Sequence, residues 1–179
     1  MRRARELDPL DALTHALSAQ VAFQNRDLTA ATDHARRAIV LGPSLWIGYV
    51  ELAQAYEGAG EHDLALEALA DAARFADGNS KVVSFQGYVL AKSGRTDAAR
   101  EAVRSLEAAA RDRYVPPYAT ALVYAGLGER DAVFTSLEKA YAARDVHLIF
   151  LPVDMRWDPY RNDPRFTDLL ARCAFAPGR

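Results

Sequence analysis

The sequence predicts an all-α protein: an α-solenoid of antiparallel helix pairs, with four full repeats and partial units at both ends. Two observations predict this fold. Alanine, the residue with the highest helix propensity, is far more frequent than in average proteins. Gly60, Gly94 and Gly128 recur with a period of 34, and a fixed period of this size is typical of helical repeats.

Other residues recur with the same period of 34. Each of the three glycines is followed by a polar residue, and Arg26-Asp27 occupies this place in the first unit. Small residues form two columns, Ala19, Ala53, Gly87, Ala121 and Ala31, Ala65, Ala99. Large residues form two more, Tyr56, Leu90, Tyr124 and Leu69, Val103, Leu137.

These positions predict where each helix begins and ends. A glycine in the left-handed conformation ends the first helix of a pair and lets the chain reverse. Small residues allow the backbones of two crossing helices to approach closely. Proline cannot continue a helix, so Pro9 and Pro43 mark the ends of two units. The predicted pairs cover residues 12–25 and 28–41, 46–59 and 62–76, 80–93 and 96–112, and 117–127 and 130–143.

The period of 34 with these small, aromatic and glycine positions resembles the tetratricopeptide-repeat (TPR) family. The resemblance covers residues 12–141 and is clearest in the second unit. There the residues on the family's signature are Tyr49, Leu52, Ala53, Tyr56, Gly60, Ala65, Leu69 and Ala72. The resemblance implies a right-handed superhelix in which the first helix of each pair lines the concave face. The alternative, a generic alanine-rich bundle, should not keep its register over four units.

The two ends of the chain depart from the repeat. Residues 1–11 are interpreted as the tail of a truncated repeat, because Ala4 and Pro9 precede Ala38 and Pro43 by one full period. The hypothesis that follows is that the chain is the C-terminal piece of a longer repeat protein, or an engineered truncation of one. The four units then cover residues 12–45, 46–79, 80–113 and 114–145, and residues 146–179 are an irregular segment with a capping helix.

The capping helix is predicted over residues 164–173, because Asp163-Pro164 is a favourable helix start. Apolar side chains before it are expected to cover the exposed end of the solenoid, as a terminal cap must. These residues are Leu148, Ile149, Phe150, Leu151, Trp157 and Tyr160. The alternative interpretation of the same aromatic residues is a binding patch.

The C-terminal part is also similar to the end of bacterial multidomain regulators, in which TPR arrays follow a winged-helix, nucleotide-cyclase or protein-kinase module. The similar residues are Pro116-Pro117-Tyr118, Gly128, Val153-Asp154 and Asp163-Pro164-Arg165-Phe166. This similarity supplies the alternative function, a C-terminal regulatory or sensory domain of a bacterial transcription regulator, nucleotide cyclase or protein kinase.

Composition and spacing argue against several functions. A net charge of −2 and a pI near 6.1 disfavour nucleic acid as a partner, including binding by helical repeats of the RNA-binding kind. The chain has no apolar run that could span a membrane and no signal peptide, and its single cysteine, Cys173, fits a cytoplasmic location. The histidines have no metal-ligand spacing and the glycines form no phosphate loop, so we expect no metal, no cofactor and no enzymatic activity.

The expected function is therefore a non-catalytic protein-interaction scaffold. By the TPR resemblance, a peptide or protein segment would bind in the concave groove, along the first helix of each pair. Tyrosine offers apolar area with a polar tip, and glutamine can pair with a peptide backbone. The expected groove residues are Gln20, Gln24, Val50, Gln54, Glu57, Lys81, Ser84, Tyr88, Lys92 and Tyr118. Homo-oligomers through the solenoid ends are the second kind of association expected.

Overall fold

The structure, a computed structural model, describes residues 1–174. The described part is helical and contains no strand. The helices are α1 (Arg2–Leu7), α2 (Ala12–Gln24), α3 (Leu28–Leu41), α4 (Trp46–Gly58), α5 (His62–Ala73), α6 (Ser80–Lys92), α7 (Thr96–Ala109), α8 (Pro117–Leu127), α9 (Arg130–Ala142) and α10 (Pro164–Arg172). Two 3-10 helices, Val146–Phe150 and Met155–Tyr160, lie between α9 and α10.

The all-α prediction is confirmed for the described residues, and neighbouring helices pack together in pairs. The predicted helix starts match those observed in all eight helices from α2 to α9. The predicted ends differ most at α5 and α7, each of which ends three residues earlier than expected. Both helices end in turns with αR caps at Arg74 and Ala110 and not in a glycine turn, so their sequences contain no strong stop signal.

The same turn separates the two helices in each of the four predicted pairs. Its left-handed residues are Arg26, Gly60, Gly94 and Gly128, with φ of 63°, 80°, 80° and 74°. The next residue donates its backbone N–H to a carbonyl five residues earlier, which satisfies a free carbonyl at the end of the first helix. These bonds join Asp27 to Ala22, Glu61 to Tyr56, Arg95 to Leu90 and Glu129 to Tyr124, at 2.8–3.1 Å. The turn geometry therefore recurs with the period of the sequence.

The chain divides into two compact units within α6. Unit 1 covers residues 1–82, and unit 2 begins at Val83. In unit 1, α2 packs against α3 and α4, and α4 packs against α3 and α5. A Cβ atom added at Gly48 of α4 would lie 3.3 Å from Ile39 Cγ1 of α3, so the two backbones are close. Small buried residues, among them Ala19, Ala31 and Ala53, make this packing possible.

Unit 2 has an equally close helix contact. A Cβ atom added at Gly87 of α6 would lie 2.8 Å from Ala102 Cβ of α7 and 2.9 Å from Val123 Cγ2 of α8. Gly126 of α8 likewise approaches the Tyr88 carbonyl of α6. The core here joins α6, α7 and α8 through Ala91, Ala99, Val103, Leu106, Val115, Ala119 and Val123. Helix α10 packs against α9 at the end of the unit.

Candidate functional site

The predicted groove residues lie on the first helices α2, α4, α6 and α8, or at their ends, and the surface that carries them is called the first-helix surface here. In unit 2, residues 146–160, called the C-terminal segment, cover part of this surface. Trp157 of this segment is fully buried and donates its indole N–H to the Tyr118 hydroxyl oxygen at 2.8 Å. The two rings meet edge to face with centroids 5.5 Å apart. The contact leaves Tyr118 of α8 with little exposed surface.

Arg156 covers the neighbouring part of the first-helix surface, on α6. Its guanidinium carbon lies 4.3 Å from the centre of the Phe85 ring and 5.9 Å from that of Tyr88. Its Nε donates to both carboxylate oxygens of Asp154, at 2.9 Å and 3.0 Å. The carboxylate also accepts the backbone N–H of Arg156, so it caps the 3-10 helix Met155–Tyr160. The buried positive charge is thus paired with a carboxylate and lies on aromatic faces, which stabilise a cation.

A third anchor holds the start of the C-terminal segment. Asp145 accepts the Tyr118 backbone N–H at 3.0 Å with one oxygen and the His147 backbone N–H at 3.0 Å with the other. His147 Nδ1 lies 2.7 Å from Asp145 Oδ1, and its ring stacks on Tyr118 with centroids 5.6 Å apart. Asp145 therefore satisfies a free N–H in the first turn of α8 while it fixes the entry of the segment.

The pKa values of Asp145 and Tyr118 are shifted so that the carboxyl group stays charged and the phenol stays neutral at physiological pH. Burial alone would raise the pKa of Asp145, but hydrogen bonds from His147 and Tyr118 outweigh it, and the pKa lies below its usual value. Burial, with the nearby Asp154 carboxylate, raises the pKa of Tyr118 far above its ordinary value. The phenol therefore stays neutral at physiological pH and accepts the bond from Trp157. Each polar group described here binds another group of unit 2, so these contacts hold the C-terminal segment on that unit.

The first-helix surface of unit 1 differs, because part of α2 remains accessible. Gln20 and Gln24 are half-buried there, and Gln24 Oε1 is a buried acceptor that receives no hydrogen bond. Glu57 of α4 is half-buried as well. Lys81, expected to contact a ligand, lies 3.3 Å from the buried carboxylate of Glu51. Its ammonium group thus stabilises a buried charge of the protein itself.

The ten sequence-predicted groove residues therefore have different environments. Five of them are half-buried or exposed, namely Gln20, Gln24, Glu57, Lys81 and Lys92. The other five are buried, namely Val50, Gln54, Ser84, Tyr88 and Tyr118. Tyr88 and Tyr118 are buried, and Arg156 and Trp157 contact them, so in this conformation neither ring offers a ligand the apolar area that was expected. Among the predicted groove residues of α2, both Gln20 and Gln24 remain partly accessible.

The apolar residues that were expected to form a terminal cap differ in burial. Leu148, Leu151, Trp157 and Tyr160 are buried, whereas Ile149 is exposed and Phe150 is half-buried. The sequence prediction missed Asp145, Asp154 and Arg156 as anchors. The sequence does contain a pattern that could have indicated Asp145 and Asp154, because these two residues and Asp163 are spaced nine residues apart. Each is an N-cap that accepts the backbone N–H two residues later.

Each unit also has a surface pocket between a second helix and the next pair. The pocket of unit 1 has a volume of about 470 Å³ and that of unit 2 about 430 Å³. Many lining residues are related by 68 positions, two periods of the sequence, such as Tyr56 and Tyr124 or Asp71 and Lys139. Since the charge changes from Asp71 to Lys139, the equivalent pockets do not offer one ligand the same chemistry.

Comparison of the chain with protein-family models and with curated proteins found no match. Among residues 1–174, no helix has the length and apolar character needed to cross a membrane. The same residues contain no group of three or more His, Cys, Asp or Glu side chains placed to hold a metal ion.

Proposed function

We propose that the chain is a non-catalytic protein-interaction scaffold of the TPR type, which binds a peptide or protein segment on the first-helix surface of unit 1. The observation that carries the proposal is the C-terminal segment of unit 2. An irregular stretch of polypeptide lies there against first helices, held by an indole N–H, a guanidinium and a carboxylate. The equivalent surface of unit 1 would receive such a segment from another protein.

The recurring turn supports the assignment to the TPR type. Second helices α3, α5, α7, α9 and α10 begin one period apart, at Leu28, His62, Thr96, Arg130 and Pro164. The small residues of the repeat are buried at helix contacts in both units. A repeated local geometry with a repeated packing position is the pattern expected of a helical repeat array.

The chemistry of α2 indicates how a segment would bind. Gln24 Oε1 lacks a donor, and an unsatisfied buried acceptor costs about 1–3 kcal/mol. Because this oxygen is buried, the Gln24 side chain would have to turn outward before it accepted a backbone N–H of a bound segment. Gln20 lies one turn earlier on the same side of α2, and Leu13 adds exposed apolar area beside it. An extended or helical segment with one apolar side chain and free backbone donors matches these groups.

Selection from a displayed peptide library tests the proposal with the whole chain as bait. Peptides that bind the wild type should lose about tenfold or more in affinity when Gln20→Ala and Gln24→Ala are combined, a loss of about 1.4 kcal/mol. Gln86→Ala is the matched control, because it removes a half-buried amide from α6. Peptides that bind the α2 variant and the wild type equally well would rule out the α2 surface as the site.

A further inference from the structure

The surface pocket of unit 2 is named the α7–α9 pocket here. It has a volume of about 430 Å³ and lies between α7, α8, α9 and the turn that joins α7 to α8. Buried apolar side chains, among them Leu106 and Val115, form part of its wall. Small-molecule sites are clefts of roughly 300–1,000 Å³ with mostly apolar walls and a few polar groups that orient the ligand. The polar groups of the α7–α9 pocket therefore decide which ligand it suits.

Ser136 of α9 lines the pocket and has a hydroxyl without a protein partner. The residue is only 6% exposed. Serine and threonine within a helix often donate to the carbonyl oxygen four residues earlier, as Ser18 and Thr32 do at 2.7 Å and 2.9 Å. Ser136 makes no such bond, and its hydroxyl forms no other hydrogen bond within residues 1–174. Because a buried hydroxyl costs free energy until it is paired, a polar ligand group in the pocket would stabilise this site.

Two side chains of opposite charge also line the pocket. They are Glu107 of α7 and Lys139 of α9, and both are exposed. Neither forms an ion pair with a described residue. Burial, together with the nearby Glu107 carboxylate, raises the pKa of Tyr124, another lining residue, so this carboxylate lies on the Tyr124 side of the pocket. The pocket thus offers a ligand one anion and one cation that no other described residue neutralises.

The repeat shows that helix packing does not require these polar groups. The pocket of unit 1 is the equivalent one, and its residues precede those of the α7–α9 pocket by two periods. It has Ala68 at the position of Ser136 and Ile39 at the position of Glu107. An alanine and an isoleucine can therefore occupy these positions between the same kinds of helices. The serine and the glutamate distinguish the α7–α9 pocket from its counterpart.

We propose that the α7–α9 pocket binds a small zwitterion with an apolar body, such as a free apolar amino acid or a dipeptide. The ammonium group of the ligand would pair with Glu107 and its carboxylate with Lys139. Ser136 would donate its hydroxyl to the ligand, and the apolar part would lie against Leu106 and Val115. A ligand with a single charge would meet one like charge in the pocket, so the arrangement favours a zwitterion. The site lies apart from the first-helix surface and does not depend on peptide binding there.

Isothermal titration calorimetry of the whole chain tests the proposal, with leucine and leucyl-leucine as the probes. At least one probe is expected to bind with a dissociation constant on the order of 100 µM, because the exposed charges of the pocket are screened by water. The tighter of the two identifies the ligand as a free amino acid or a dipeptide. The absence of binding by both probes at about 10 mM would overturn the proposal.

Chemical variants of the tighter probe test the recognition of its two charges. Its N-acetylated form has no ammonium group, and its amide form has no carboxylate. Each form should bind at least about threefold more weakly than the zwitterion, since each loses one of the two charge pairs. Equal affinity for the zwitterion and both neutralised forms would show that the charges are not recognised, and the proposal would then be wrong.

Substitutions in the pocket test the assigned contacts. Glu107→Gln should weaken the zwitterion by at least about threefold but should leave the N-acetylated form unaffected, because that form has no ammonium group to lose. Ser136→Ala should weaken the zwitterion by about threefold or more through loss of one hydrogen bond. Glu101→Gln is the matched control, because Glu101 lies on α7 but does not line the pocket. Circular dichroism confirms that the variants fold, and unchanged affinity in both pocket variants would overturn the proposal.

Discussion

The buried ion pair between Asp154 and Arg156 gives the sharpest test of how the C-terminal segment is held. Their side chains are 1% and 4% exposed, and Arg156 Nε donates to both carboxylate oxygens. Arg156→Met keeps an unbranched side chain of similar reach but removes the charge. The carboxylate of Asp154 is then buried without its cation, and breaking a buried pair from one side costs about 3–5 kcal/mol. That is a large share of the roughly 5–15 kcal/mol that stabilises a typical domain.

A second substitution separates the charge from the packing. Asp154→Asn, added to Arg156→Met, replaces the buried carboxylate with a neutral amide. The amide oxygen can still accept the backbone N–H of residue 156, so the cap of the 3-10 helix is kept. The double variant should therefore recover at least about 2 kcal/mol of the loss, because no buried charge remains without a partner.

Urea unfolding measured by the fluorescence of Trp157 reports these changes. Trp46 and Trp157 are the two tryptophans of the chain, so Trp46→Phe makes Trp157 the single reporter, and it lies in unit 2. The free energy of unfolding is compared among the background, the Arg156→Met variant and the double variant. If the double variant is as unstable as Arg156→Met alone, the loss arises from the guanidinium packing over Phe85, and the argument from charge burial is refuted.

Two further predictions concern the helix packing and the start of α10. Gly87→Ala should be less stable than Gly48→Ala by about 1–3 kcal/mol in urea unfolding, because its methyl group would lie 2.9 Å from Val123 Cγ2, whereas the nearest atom at Gly48 is 3.3 Å away. Helix propensity favours alanine at Gly87, in the middle of α6, at least as much as at Gly48, in the first turn of α4, so equal stabilities would contradict the close packing. A hydrogen bond from Arg165 lowers the pKa of Asp163 to about 2, so its stabilising contribution is present above its unfolded pKa of 3.8 and is lost as the pH falls towards 2. Arg165→Gln should raise this pKa in an NMR titration, and an unchanged value would assign the effect to another group.

The helix positions could be predicted from the sequence because their signals are local. A left-handed residue and the hydrogen bond after it depend on a stretch of about six residues. The turn at Arg26 shows that this local signal can be recognised even where the left-handed residue is not glycine. Its φ of 63° lies in the same left-handed region as the glycine turns although arginine rarely adopts it, and the period alone located it. The ends of α5 and α7 lack such a signal, and there the prediction was three residues too long.

The environment of the groove residues could not be predicted in the same way. Tyr88 is covered by a guanidinium 68 positions later in the chain, and Tyr118 by an indole 39 positions later. Both contacts depend on how an irregular segment folds back. The segment does not follow the period of 34, so the repeat gives no information on where Arg156 or Trp157 will lie. The aspartate at Asp154 could be interpreted as a cap, but not as the partner of a buried cation.

The column of Leu17 shows why a repeat predicts position better than role. Its four members are Leu17, Glu51, Phe85 and Ala119. Leu17 is exposed, and Glu51 is a buried carboxylate paired with Lys81. The ring of Phe85 lies beneath the guanidinium of Arg156, and Ala119 belongs to the core of unit 2. All four occupy the same position of a first helix. Glu51 and Phe85 are contacted by Lys81 and Arg156, which lie outside their own repeat units, whereas Leu17 is exposed. The period therefore predicts where a residue lies on its helix, but the burial of that residue depends on contacts that the period does not contain.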